Sequence, residues 1–133
     1  MAYKTNELYS ETSQVTLLRF VPTSRAPKTM DGLAGAPTIA FGTMMAFNTA
    51  TNFWQPWDPA LTTGIEIARA FLMTAITAHA TAESIIDLML AGTLHRDDVA
   101  LNGETQAAVD TELKSILGNG SGNFFVQGLK EVR

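Results

Sequence analysis

Residues Gly64–Ala91 read GIEIARAFLMTAITAHATAESIIDLMLA, and the conformation of this stretch decides the fold. Its alanines, leucines and methionines favour a helix. Its spacing gives no support, because Ile65, Ile67, Phe71, Leu72, Met73 and Ile76 wrap round the whole helical circumference. Such a helix would have to be buried on every side. As strands, Gly64–Ala68 alternates, and Ile86, Leu88 and Leu90 share one face while Asp87 interrupts the other. Thr77–Ser84 is then the connection. Propensity alone leans to helix, and at this level both readings stay open.

The flanks are clearer. Thr38–Phe47 reads as a strand carrying Ile39, Phe41, Met44, Met45 and Phe47, followed by a turn over Asn48–Asn52. Phe53-Trp54-Gln55-Pro56-Trp57-Asp58-Pro59 gathers both tryptophans between prolines. It reads as an aromatic clasp in the core of an edge strand, with a sugar or peptide platform as the alternative. Downstream, Val109, Leu113, Ile116 and Leu117 recur at helical spacing and predict an amphipathic helix over about 104–117. Asn102 suits its N-cap, and Glu104 puts negative charge near its start. Gly118-Asn119-Gly120 stops it. Phe124-Phe125-Val126 is a last short strand.

The N-terminal third has a different character. Residues 1–13 are polar and without period. Gln14–Val21, with Val15, Thr16, Leu17, Leu18 and Phe20, reads as a short extended strand closed by Pro22. Thr23–Leu33, with Pro27 and Gly32, reads as a linker, mildly basic through Arg25 and Lys28. These features divide the chain into an extended arm, 1–35, and a compact domain, 36–133. A tail of that length usually serves something outside its domain.

Composition narrows the function. A chain of 133 residues makes one domain with a tail, since two domains would need about 100 residues each. With 46% hydrophobic and 17% charged residues it is globular, not disordered throughout. The absence of cysteine excludes disulfides, a thiolate nucleophile and Cys-ligated zinc. A net charge of −4 argues against generic nucleic-acid binding, which draws most of its affinity from phosphate neutralisation. The acidic excess lies in residues 64–133, because the charges of residues 1–63 cancel. Met1-Ala2-Tyr3-Lys4 leads into polar residues and does not read as a signal peptide. Gly32–Trp57 is uncharged and long enough to span a bilayer, but Pro37, Pro56, Gly35, Gly42, Asn48 and Asn52 make it a buried irregular segment instead.

His95, Asp97 and Asp98 are the one cluster that suggests chemistry. An imidazole and two carboxylates could ligate a metal. Yet the two aspartates are adjacent and point apart in an extended segment, and Arg96 would pair with them and repel a cation. A structural role is expected, as it is for His79. Glu83 and Asp87 could serve as acid and base, but nothing brings them to a common pocket. There is no nucleophile elbow, and the glycine-rich 118–122 lacks the lysine of a phosphate loop. No catalytic, cofactor-binding or metal-binding residue is expected, and no cofactor.

From about Ala36 onward the order of features resembles the head decoration proteins of lambda-like tailed phages. Ala36-Pro37-Thr38-Ile39 leads into a strand, and Trp57-Asp58 is followed by Gly64-Ile65. An alanine-rich strand and a threonine-rich connection come next. Leu88-Met89-Leu90-Ala91-Gly92-Thr93-Leu94-His95-Arg96-Asp97-Asp98-Val99 is similar to the family's apolar strand, Gly-x-apolar turn and acidic step. A helix and a final strand close both. Order and spacing over roughly 95 residues carry the likeness, not one motif; Pro59, the long helix and the 118–122 link depart from it.

The resemblance implies a mainly β or α+β domain of β-clip type with one helix. It implies a homotrimer on the outer surface of the virion capsid, made in the host cytoplasm. There it would clamp neighbouring major capsid protein subunits at three-fold and quasi-three-fold positions after expansion. No reaction, direct nucleic-acid contact or membrane is implied. Val15, Thr16, Leu17, Leu18, Arg19, Phe20, Arg25 and Lys28 would form the capsid-binding arm, pairing with a capsid strand by β-augmentation. The alternatives are another phage structural module, such as a tail or head-completion protein, and a small enzyme using the His95 region.

Overall fold

The computed structural model describes residues 20–118 and 123–128, without the side chains of 117 and 118. Among them are eight strands: β1 Phe20–Met30, β2 Thr38–Ile39, β3 Met44–Asn48, β4 Phe53–Pro56, β5 Ala68–Leu72, β6 Ile76–Thr77, β7 Ser84–His95 and β8 Phe124–Gln127. One α-helix, α1, spans Gln106–Gly118. Among the described residues the fold is mainly β with a single α-helix, as the fold-class reading expects.

The sheet runs β1-β4-β3-β5-β7-β8, and β1 also pairs with β7, so it curls into a barrel-like circuit. β2 and β6 form a separate two-stranded sheet. The stretch that propensity would make helical is therefore β5, β6 and β7. Its all-round apolar pattern has a physical reason. Met44, Ala46, Phe71 and Met89 face one buried cluster, with Val109, Leu113 and Ile116 of α1. Met45, Ala70, Leu72, Ile86 and Leu88 face a second, with Met30 and Ile39. Strands buried on both faces lose their polar alternation, which is what hid them.

Several expectations need correction. The linker expected over Thr23–Leu33 is largely strand. β1 pairs antiparallel with β7 from Phe20↔Leu94 to Met30↔Ser84, with irregularities beside Ser24. The described part of the expected arm thus belongs to the domain's own sheet, and an arm reaching residue 35 is too long. Pro22 and Pro27 are tolerated because, among the described residues, β1's other edge pairs only at Met30↔Trp54; a missing N–H costs nothing on an open edge. The expected strand over Gln14–Val21 is described only from Phe20; its residues 14–19 lie outside the described residues.

The strand expected over Thr38–Phe47 is interrupted at Gly42, whose φ of 84° and close approach to the Asp98 carbonyl oxygen require glycine. Gly64–Ile67 is a turn, and β5 starts at Ala68. The helix starts at Gln106, capped by Thr105 and not by Asn102: Thr105 Oγ1 accepts the Ala108 N–H at 3.1 Å. Asn102 instead takes a φ of 49° in the preceding turn. The turn after β3 is as expected, closed by Asn48 Oδ1 accepting the N–H groups of Ala50 and Thr51.

Candidate functional site

The residues read as a capsid-binding arm meet different fates. Val15, Thr16, Leu17, Leu18 and Arg19 lie outside the described residues. Phe20 is a core residue, with its ring 5.0 Å from Phe41 and 5.8 Å from Phe71. Arg25 forms an ion pair with Asp87 across the β1–β7 ladder. That hydrogen bond raises the guanidinium pKa and engages its charge. Lys28 is half-buried opposite Ile86. Arg25 is therefore not a free cation for an acidic surface.

The His95 cluster is built to end a strand and start a helix. Arg96–Asp98 is one 3-10 turn, so Asp97 and Asp98 are not in the extended segment expected. His95 Nδ1 accepts the Asp97 N–H at 3.1 Å, which makes that nitrogen a cap. The imidazole also packs against Gly128, where a Cβ would come within 2.6 Å of the ring. Arg96 makes a bidentate pair with Asp110 of α1, at 3.0 and 2.7 Å, and reaches Asp97 at 2.8 Å. Arg96 is paired as expected, though its main partner, fourteen residues on, was not foreseen.

Among the described residues, no group of three or more His, Cys, Asp or Glu side chains is placed to hold a metal. Asp87 forms an ion pair with Arg25 across the β1–β7 ladder. His79 Nδ1 accepts the N–H groups of Thr81 and Ala82 and closes the turn before β7.

Two carboxylates on α1 behave oppositely. The hydrogen bond from Arg96 holds Asp110 below the ordinary aspartate range, helped by Gln106. Burial pushes Glu112 above the ordinary glutamate range, and the nearby Glu66 adds to this. Glu112 still accepts the Ala68 N–H at 2.8 Å, which fixes the start of β5 to the helix. Glu66 braces the turn before β5 by accepting the Gly64 N–H at 2.8 Å. Neither contact had a local sequence signal, because each depends on a turn meeting a distant helix.

The aromatic cluster behaves as a clasp. Trp57 is buried, and its indole N–H donates to the Glu66 carbonyl at 2.8 Å. Trp54 sits edge-on to Phe47 at 5.5 Å. An open cleft of about 240 Å³ lies beside Trp57, Asp58, Leu61, Asn102 and Glu104. The Trp57 indole that lines it is buried with its N–H already used, and Asp58 is engaged by the Ala60 N–H at 3.0 Å. Among the described residues, no helix is long and apolar enough to cross a membrane.

No protein-family model matches the chain, and no curated protein matches it.

Proposed function

We propose that the chain is a structural virion protein, a capsid decoration protein. It binds as trimers to the outer surface of the expanded phage head at three-fold and quasi-three-fold positions. Its partner is the major capsid protein, and its effect is to hold neighbouring subunits against internal DNA pressure. The observation that supports this reading is the element order. The 64–91 stretch lies in strands and turns, β7 continues through Gly92, and one helix and one last strand follow. That order of strands, helix and last strand is the one the resemblance implies, although Gly92–Leu94, where it implies a turn, continues as strand.

In this reading the capsid contact lies upstream of β1. Val15, Thr16, Leu17, Leu18 and Arg19 pair with a capsid strand, while Phe20 and Arg25 stay committed to the domain. Multivalent attachment through three arms converts modest contacts into tight binding. The His95 cluster fits this non-enzymatic reading, because its groups cap a turn and anchor a helix.

The test mixes purified protein with undecorated expanded shells of its own capsid protein. Saturable co-sedimentation and a higher shell melting temperature are expected. Decorated and bare shells that melt alike would count against a stabilising role.

A further inference from the structure

Past Leu90, the two faces of β7 end differently. On the helix side, Phe20, Leu94 and Val126 form a cross-strand row, all buried. The same pairings align Val21, Thr93 and Phe125 on the opposite face. Here Val21 is 37% exposed and Phe125 62%, with Thr93 half-buried between them. Phe125 alone leaves on the order of 100 Å² in water. Its neighbours Asn123 and Gln127, and Thr23 on β1, are exposed and uncharged.

Strands that end a sheet in water are usually blunted by charge or proline. β1 follows this practice with Pro22, Arg25, Pro27 and Lys28. β8, reading Phe-Phe-Val-Gln, has no such residue.

We propose that the Val21–Thr93–Phe125 row is where copies of this chain meet. Charge selects the occupant. Each copy carries −4, so two copies meet most favourably across a surface that sets no like charges opposite one another, and this uncharged row is such a surface. A phosphate-rich or otherwise charged partner would find nothing there to pair with. The row also lies where the chain enters β1 and leaves β8. The inference rests on the proposed trimer for the expectation that copies associate; the strand register selects the face.

The test is sedimentation of the full chain and of Phe125→Asp. The wild type is expected to sediment as a multiple of 14.3 kDa. The variant should sediment as a folded monomer, with self-association weakened about 100-fold, as expected for a central aromatic anchor. A wild type that stays monomeric at its highest attainable concentration overturns the inference, as does an oligomer indifferent to Phe125→Asp. Should that variant fail to fold, Phe125→Cys gives a unique labelling site, because the chain has no cysteine. A polarity-sensitive dye there must shift to the blue as concentration rises; an unchanged spectrum overturns the inference.

Shell binding is scored separately. A monomeric variant that still pellets with shells leaves the decoration reading standing, and an oligomer that ignores shells removes that reading alone. A variant that keeps its oligomer but loses shell binding assigns the face to the capsid protein and overturns the proposal.

Discussion

β1 and β8 flank the same strand and are held to it in opposite ways. β1 lies antiparallel along the whole of β7, but only its two ends, Phe20 and Met30, reach the core. The side chains between are exposed or half-buried, so the main-chain ladder holds the strand. β8 is short and parallel, with four paired residues, and it is fixed by burying Phe124 and Val126 against the helix-side cluster. A strand can thus be secured by pairing or by burial, and only burial leaves a mark in local sequence.

The sharpest way to break this comparison is Gly92, the residue opposite both Pro22 and Phe124. Its φ is 151°, and an added Cβ would strike the Val21 carbonyl and lie 2.8 Å from Pro22 Cα. Gly92→Ala should cost about 3 kcal/mol, because backbone must move to admit it. Urea unfolding monitored by tryptophan fluorescence checks this; a loss below about 1 kcal/mol would mean β1 yields easily.

Next come Phe20→Ala and Phe124→Ala. Both rings pack edge-on to Phe71, at 5.8 and 5.0 Å. Each substitution should cost about 3 kcal/mol. Amide exchange should separate them. Phe20→Ala should leave the middle of β1 protected by its ladder, whereas Phe124→Ala should expose all of β8.

The two ion pairs give smaller effects. Arg96 and Asp110 are about three-quarters buried, whereas Arg25 and Asp87 are 48% and 34% exposed. Asp110→Asn should lower the melting temperature by more than Asp87→Asn does. The reverse order would shift the importance from the helix anchor to the ladder. Asp110 has its pKa lowered on folding, so its contribution is present above the unfolded value of 3.8 and disappears as pH falls through the folded value. Asp110→Asn should therefore lose less stability than the wild type as the pH falls through that range.

The smallest effect is a gain. Folding raises the Glu112 pKa above 4.5, so its ionisation weakens the fold as pH rises through the raised value. Glu112→Gln keeps an acceptor for the Ala68 N–H and removes the half-buried charge. It should match or slightly exceed the wild type at pH 7 and lose that advantage in acid, as thermal melts across pH would show.

How much of this was legible follows the same division. Val109, Leu113 and Ile116 announced α1, and Phe124 and Val126 announced β8, because each presents a periodic buried face. β1 was hidden, because Pro22, Ser24 and Pro27 signal a linker locally, while its stability comes from a partner about sixty residues away. Of the candidate site, Arg96's pairing was legible from its acidic neighbours. Its main partner Asp110 and the contact from Glu112 to Ala68 were not, since no local pattern says which turn a helix will cross. The Val21–Thr93–Phe125 row needed the register of three strands at once.

The β1–β7 ladder also has a mechanical consequence. Consider a pull on the Phe20 end of β1 directed along the strand axis. Strand and load are then parallel, so the hydrogen bonds from Phe20 to Met30 resist together in shear, where a sideways load would unzip them singly. In the proposed decoration role, a load from the shell through such a tether would fall on this ladder in shear. Under sustained tension, the lifetime of the attachment would be set by an unfolding rate, not by an equilibrium.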